Sequence, residues 1–252
     1  ERDGVPGFWR AAMAESKVRT LQGAGSTAAE GDMGWARGVT AHRPYRGDQS
    51  KPSTAWHAEF QDVNNDSLAD LFVVKGNVEA MDAFARDDPN NLLLGQPDGS
   101  FVEAGAIAGL DSGLRGRGGA MVDLNADGLL DVVVVNRKDP AQVWRNLGSA
   151  EAARPLGNWL QVRLRDDRLR HSGNRDGVGA WVEVSSPATV MGLPRIQRRE
   201  VFVGGGHAGG GVGWLHFGLG AATDAMVTVR WADGTVSLPV QARANSFIEV
   251  TP

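Results

Sequence analysis

AWHAEFQDVNNDSLADLFVVKGN, residues 55–77, decides the fold, because RGGAMVDLNADGLLDVVVVNR at residues 117–137 repeats its pattern at an offset of 61 residues. Each copy runs from an apolar segment through an acidic loop into a second apolar segment, which is typical of two strands joined by a loop. A further paired element follows each copy, at residues 91–104 and 142–148. Within the first of these, Pro97-Asp98-Gly99 predicts a turn between two short strands. A repeat of about 60 residues with around four strands predicts blades of a β-propeller.

Two copies do not close a propeller. Each blade stacks on its neighbours, and about three or more repeats are usually needed for a stable array. The sequence therefore predicts a partial propeller over residues 54–148. Either its earlier blades are missing or another segment completes the ring.

The pattern changes after Gly148 to short strands that alternate apolar and polar residues. Leu160, Val162 and Leu164 alternate with polar side chains, as in a sheet with one buried and one wet face. The net charge also changes, from −6 over residues 1–148 to +2 over residues 149–252. These features predict an antiparallel β-sandwich over residues 149–252. Its predicted strands are 158–166, 179–186, 198–205, 213–220, 225–236 and 245–250.

The N-terminal segment, residues 1–53, carries a different signal. Residues 7–21 follow Pro6, contain good helix formers and end at the glycine-rich stretch that starts at Gly23. They predict a short helix. Residues 22–54 have little periodicity and predict an irregular connection. The predicted fold class is thus all-β, a partial propeller followed by a sandwich, with one N-terminal helix.

An acidic nonapeptide occurs once in each repeat, with oxygen-bearing side chains at its positions 1, 3, 5 and 9. A hard cation such as Ca²⁺ takes six to eight oxygen ligands, and a tight loop with acidic residues at alternate positions can supply them. Three carboxylates in one loop also repel one another unless a cation is present. The predicted calcium ligands are the side chains of Asp62, Asn64, Asp66 and Asp70 with the carbonyl of Leu68, and those of Asp123, Asn125, Asp127 and Asp131 with the carbonyl of Leu129.

Two other interpretations of the nonapeptide are an EF-hand and a solvated turn. An EF-hand needs flanking helices and a glutamate at its twelfth position, where this chain has Val73 and Val134. A solvated turn rich in Asp and Asn needs no metal, yet two such loops in register favour calcium. Ser67 stands where the second copy has Gly128, and if this position needs a positive φ the serine costs roughly 1 kcal/mol.

Other chemistry has little support in the sequence. A net charge of −4 provides no basic field for nucleic acid, and no apolar run is long enough to span a membrane. The chain has no cysteine, no GxSxG nucleophile motif and no metal-binding spacing among its histidines. The glycine-rich residues 204–211 lack the Lys-Ser/Thr of a phosphate loop and predict a flexible hairpin or bulge. The five histidines are His42, His57, His171, His207 and His216.

The motifs together resemble a known combination of domains. The two acidic loops between strands are similar to FG-GAP or VCBS repeats of integrin-type propellers, and the C-terminal motifs resemble the ASPIC/UnbV domain. This pairing resembles the cartilage-acidic-protein-like family, which implies a calcium-binding propeller ahead of a β-sandwich, with the ten ligands named above, in an exported protein. The C-terminal motifs are Asn158-Trp159-Leu160, residues 174–180 (NRDGVGA), Arg199-Glu200-Val201, residues 215–220 (LHFGLG) and residues 231–234 (WADG).

The resulting functional hypothesis is a non-catalytic, calcium-binding interaction module or accessory subunit of an exported or membrane-associated assembly. Its expected partners are proteins, and its expected location is the periplasm or the cell exterior. An adhesion or glycan-binding module is the first alternative. A hydrolase that uses the propeller as a scaffold, with chemistry from His207 or His216, is a weaker one, because no nucleophile with a neighbouring base can be named.

Overall fold

The computed structural model describes residues 6–11, 16–17, 54–76, 88–149, 156–169, 174–190 and 193–252. The chain divides into two compact units, each made of several segments. The first comprises Glu1–Val63, Leu68–Pro155 and Gly205–Gly210, and the second comprises Asn64–Ser67, Leu156–Gly204 and Gly211–Pro252.

Strands dominate both units. The first unit contains β1 (Pro6–Ala11), β2 (Ser16–Lys17), β3 (Ala55–Gln61), β4 (Asp70–Lys75), β5 (Asn91–Gly95), β6 (Phe101–Glu103), the one-turn helix α1 (Gly105–Ala108), β7 (Gly116–Val122), β8 (Asp131–Asn136) and β9 (Gln142–Ser149). The second contains β10 (Asn158–Leu164), a 3₁₀ turn (Asp167–Leu169), β11 (Trp181–Val190), β12 (Leu193–Glu200), β13 (Leu215–Gly220), β14 (Asp224–Arg230), β15 (Val240–Arg243) and β16 (Ser246–Val250).

The first repeat forms a four-stranded antiparallel sheet in the order β3-β4-β5-β6. Its strands follow one another in sequence, as in a propeller blade. The β5–β6 turn contains Asp98 and Gly99, where Gly99 has a φ of 82° and Gln96 N–H donates to the Ser100 carbonyl at 2.9 Å. This confirms the turn predicted at Pro97-Asp98-Gly99.

The second repeat forms a five-stranded sheet in the order β2-β1-β9-β8-β7, so the N-terminal segment supplies its fourth and fifth strands. β1 runs antiparallel to β9, with Phe8 opposite Asn146 and Ala11 opposite Val143. The helix prediction is therefore wrong for residues 7–11 and 16–17, and the rest of that predicted helix lies outside the described residues. Phe8 and Trp9 are residue types with high strand propensity. Pairing with the edge of β9 also gives hydrogen-bond partners to backbone N–H and C=O groups that a helix would pair internally.

Alternate residues of the blade strands form the core of the first unit. Phe72 and Val74 on β4 and Val132 and Val134 on β8 are fully buried, and Trp144 on β9 is 1% exposed. The remaining members of this core are Val63, Leu92, Leu94, Ala104, Ala108, Leu110, Met121 and Leu130.

The second unit is a β-sandwich, as predicted. One sheet has the order β13-β10-β16 and the other β12-β11-β14-β15, and the β10–β16 pair is parallel. Leu160 and Phe217 from the first sheet share one core with Val182 and Val229 from the second. The prediction missed β15, and the strand predicted to continue to residue 205 ends at Glu200. Among the described residues, no helix is long and apolar enough to cross a membrane.

Candidate functional site

Each acidic nonapeptide closes a β-hairpin. The first joins β3 to β4 and the second joins β7 to β8. Gln61 pairs with Asp70, and Val122 pairs with Asp131, so the ninth residue of each loop faces the residue just before its first. The hairpin thus brings the two ends of the nonapeptide together, which the sequence spacing alone did not establish.

The two loops have the same backbone conformation. Position 4 is left-handed in both, with φ of 61° at Asn65 and 59° at Ala126. Position 6 is left-handed as well, with φ of 72° at Ser67 and 84° at Gly128. The requirement for a positive φ at position 6 is confirmed, so Ser67 carries a conformational cost of roughly 1 kcal/mol that glycine avoids.

The carboxylate at position 9 of each loop accepts one hydrogen bond from the loop backbone and one from the next strand. Asp70 accepts hydrogen bonds from Val63 N–H and Gly95 N–H, both at 2.9 Å. Asp131 accepts the equivalent pair from Leu124 N–H at 3.1 Å and Asn146 N–H at 2.8 Å. Each carboxylate oxygen has a second lone pair, so this role leaves capacity for a cation.

The side chains inside the second loop hydrogen-bond with the loop and with one another. Asp123 accepts from Asp127 N–H at 3.1 Å and from Gly128 N–H at 2.8 Å. The Asn125 amide donates to Asp127 Oδ2 at 2.7 Å, and Leu129 N–H donates to Asp127 Oδ1 at 3.0 Å. These bonds hold the position 1, 3 and 5 side chains over the loop backbone.

Burial and clustered negative charge perturb one carboxyl of the second loop. Burial raises the pKa of the Asp131 carboxyl, the negative charges of Asp127 and Asp123 raise it further, and the two backbone N–H donors oppose the shift. Arg145 Nη2 lies 3.4 Å from Asp127 Oδ2 at a half-exposed position. An exposed ion pair of this kind contributes little, so a divalent cation could replace it.

The donor set fits calcium better than a transition metal. Within the described part of the chain, no three Asp, Glu, His or Cys side chains lie close enough together to hold a metal ion by themselves. The second loop nonetheless offers carboxylate, amide and carbonyl oxygens on one short hairpin, and such hard donors suit Ca²⁺. Asn125 Oδ1 accepts from Asp127 N–H at 3.3 Å, and the same oxygen would serve as the amide ligand.

The two loops differ in exposure. Asp62 and Asn64 of the first loop are buried, whereas their counterparts in the second loop are partly exposed (Asp123) and exposed (Asn125). The middle of the first loop belongs to the second compact unit. There the Asn65 carbonyl accepts from Gly220 N–H at 2.8 Å, the Asn65 side-chain oxygen lies 2.7 Å from His216 Nε2, and Arg195 donates to the Ser67 carbonyl at 2.8 Å.

The glycine-rich segment serves close packing in the first unit. His207 N–H donates to the Trp56 carbonyl at 2.9 Å. A Cβ on Gly206 would lie 2.3 Å from His57 Nδ1, and one on Gly209 would lie 2.6 Å from the same atom. The glycines therefore allow the backbone to approach a buried ring, a role for which the sequence carried no signal beyond the glycine run itself.

The remaining titratable candidates have structural contacts. His57 Nδ1 lies 3.1 Å from the Gly205 carbonyl, and His57 Nε2 lies 3.3 Å from Glu59 Oε2. The His207 ring packs on Trp56 at 4.9 Å between centroids. Asp166 is bridged by Arg168 at 3.0 Å. None of these contacts pairs a histidine with a nucleophilic hydroxyl. His42 and His171 lie outside the described residues.

Comparison with known families agrees with this architecture. Residues 62–134, which include both acidic loops, match the FG-GAP-like repeat family. Residues 170–252, in the sandwich, match the ASPIC and UnbV family. The chain therefore carries an FG-GAP-like repeat followed by an ASPIC and UnbV domain. The resemblance inferred from the sequence motifs is confirmed, and FG-GAP repeats imply that the two sheets of the first unit are propeller-like blades.

Human cartilage acidic protein 1 is one similar protein. The chain is 37% identical to it over 73 residues, which cover 28% of this chain and 11% of that protein. The similarity thus spans a small part of the relative. Together, the two matched domains indicate an extracellular module of the adhesion type.

Proposed function

We propose that this chain is a non-catalytic interaction module, or an accessory subunit of an exported assembly, whose blade loops bind Ca²⁺. The main support is the shared loop conformation in two successive blades, with left-handed residues at positions 4 and 6 and a buried aspartate at position 9. A turn does not need oxygen-bearing side chains at four of nine positions, three of them carboxylates, whereas a calcium loop does.

In the second loop, the side chains of Asp123, Asn125, Asp127 and Asp131 and the carbonyl of Leu129 would hold the ion. Asp62, Asn64, Asp66, Asp70 and the carbonyl of Leu68 would do so in the first. When bound, calcium neutralises the clustered carboxylates and cross-links both ends of the hairpin loop. The position 9 aspartate also accepts a hydrogen bond from the next strand. Calcium that fixes the loop would therefore also fix the connection between the loop and that strand.

The proposal places the protein in the periplasm or outside the cell. Extracellular calcium modules commonly work with dissociation constants of about 10⁻⁴–10⁻³ M, which free cytosolic calcium does not reach. The second loop is exposed, so ions can reach it directly. We assign no catalytic role, because the contacts of His57 and His207 are those of packing side chains.

Calcium is expected to raise the melting temperature of the chain through the second loop. At a free concentration 100 times the dissociation constant, one site adds about 2.7 kcal/mol to the free energy of unfolding. The Asp123→Asn/Asp127→Asn double variant should lose most of this gain. Thermal melting in calcium and in chelator measures both effects.

Asp98→Asn is the matched control for that experiment. Asp98 accepts from Ser100 N–H at 2.9 Å in an exposed turn, much as the loop aspartates do, but no acidic loop surrounds it. Its replacement should change stability equally with and without calcium. Identical melting of the unsubstituted chain in calcium and in chelator would contradict the proposed metal role.

A further inference from the structure

A groove of about 490 Å³ crosses the outer face of the β12-β11-β14 sheet in the second unit. This volume lies within the range of small-ligand sites. The groove lies wholly within one unit and is separate from the acidic loops. Its lining residues are Trp181, Val182, Glu183, Arg198, Thr228, Arg230 and Val236.

The strand register gathers the polar groups beside the exposed tryptophan. Trp181 on β11 pairs with Arg230 on β14, and the next outward residue, Glu183, pairs with Thr228 on β14 and Arg198 on β12. Side chains of directly opposed residues stand on the same face of a sheet and contact one another. Trp181 also pairs with Glu200 on β12. The indole, two guanidinium groups, two carboxylates and a hydroxyl therefore share one side of the sandwich.

The apolar part of the groove is an exposed aromatic surface. The Trp181 side chain is 46% exposed, although tryptophan is a residue that folding normally buries. Val236, 58% exposed, lines the groove as well. A pyranose ring has one apolar face of C–H groups, which stacks on an aromatic ring because the face of that ring is electron-rich.

The polar part fits the hydroxyl groups of a sugar. The Arg198–Glu183 ion pair, at 2.7 Å, is exposed and holds both groups in place. Together with Thr228, the pair offers donors and acceptors next to the indole. A few placed polar groups beside an apolar wall are the usual means by which a site orients a ligand.

Arg230 favours a ligand that carries a negative charge. It has no ion-pair partner in the described residues, whereas Arg198 is neutralised by Glu183. Its planar guanidinium matches a carboxylate or sulfate through two parallel hydrogen bonds. Glu200 stands on β12 and Arg230 on β14, with Trp181 between them, and no ion pair joins these two charged groups in the described residues. The β14 side of the groove thus presents an unpaired positive charge beside the stacking surface.

We propose that this groove binds an oligosaccharide with anionic substituents, with Trp181 stacking on a sugar ring and Arg230 binding its carboxylate or sulfate. The inference deepens the proposed function by naming a ligand class. It rests on the chain being an interaction module and not on calcium binding by the loops.

Titration calorimetry with three sugars tests the ligand class. β-1,4-linked hexamannuronate and β-1,4-linked mannohexaose share one backbone and differ in the carboxylate at C6, and a heparin-derived hexasaccharide tests sulfate. The full chain should bind hexamannuronate at least about tenfold more tightly than mannohexaose. Heparin hexasaccharide should bind the same site and compete with hexamannuronate.

Three variants locate the site. Trp181→Ala should weaken hexamannuronate binding by about tenfold or more, because the stacking surface is lost. Arg230→Gln should remove most of the preference over mannohexaose. Trp214→Ala is the matched control, because Trp214 is 40% exposed in the same unit but does not line the groove. The affinity of Trp214→Ala for hexamannuronate should stay within about twofold of that of the unsubstituted chain.

Two outcomes overturn the inference: no binding of any of the three sugars at about 5 mM, or equal binding by Trp181→Ala and Trp214→Ala. Heparin binding that is insensitive to Trp181→Ala also counts against it, since it reflects charge alone. If the chain binds sugar but shows no calcium response, the proposed role of the groove is supported and the proposed metal role is contradicted. A calcium response without sugar binding would do the reverse.

Discussion

Replacing Asp70 by alanine is expected to lower the free energy of unfolding of the first unit by about 2–6 kcal/mol, even with chelator present. Asp70 is fully buried and accepts hydrogen bonds from Val63 N–H and Gly95 N–H. The alanine leaves both buried donors without this acceptor, and each such donor costs about 1–3 kcal/mol. Denaturant unfolding in chelator measures the loss without any contribution from metal.

Asp98→Ala is the control for this experiment, because it also removes an aspartate that accepts from a backbone N–H, in an exposed turn. Water replaces the lost acceptor there, so Asp98→Ala should lower the free energy of unfolding by only about 1 kcal/mol. An Asp70→Ala variant as stable as the unsubstituted chain in chelator would show that position 9 acts through metal alone. The hydrogen bonds that fasten the loop to β5 would then contribute little.

Gly209→Ala is expected to destabilise the first unit by about 1–3 kcal/mol. An added Cβ would lie 2.6 Å from the Gly119 carbonyl oxygen and 2.6 Å from His57 Nδ1. The Gly119 oxygen belongs to β7, so the clash cannot be relieved by rotating a flexible side chain. Either the glycine-rich segment or the blade must shift. Thermal melting measures the change.

Gly211→Ala lies in the same run of glycines and provides the comparison. Nothing lies within 4 Å of a Cβ at this position. Its melting temperature should equal or slightly exceed that of the unsubstituted chain, since alanine lowers the entropy of the unfolded state. Equal destabilisation by Gly209→Ala and Gly211→Ala would mean that the run needs glycine for its backbone freedom and not for close packing.

The blades and the sandwich could be predicted because their signals are local. The nonapeptide, its flanking apolar segments and the alternation at Leu160, Val162 and Leu164 each lie within a few residues of one another. Period and turn chemistry therefore predicted most hairpins, including the turn at Asp98. β15 was missed because the residues between Val236 and Val240 include Pro239 and show no clear alternation.

The strand at β1 could not be predicted, because its partner is distant in sequence. Propensity favoured a helix over residues 7–21, whereas pairing with β9 decides the conformation of residues 7–11. Such tertiary pairing overrides a weak local preference. The same holds for the glycine-rich segment, whose contact with His57 depends on a residue about 150 positions away.

The oxygen-bearing positions of the two loops followed from spacing, but their surroundings did not. From the sequence, the two loops are predicted to be equivalent apart from Ser67. In the structure, however, Asp62 is buried and Asp127 is exposed. Exposure depends on which segments pack over each loop, and no local pattern encodes that. The groove at Trp181 was missed for a related reason, because strand register brings Arg230 and Arg198 beside it.

Equilibrium dialysis of the chelator-treated chain against Ca²⁺ tests the central claim most directly. The account predicts saturable binding at about 10⁻⁴–10⁻³ M, with one ion lost in the Asp123→Asn/Asp127→Asn variant and none lost in Asp98→Asn. Absence of saturable binding up to about 10 mM, or the same number of bound ions in all three proteins, would contradict it.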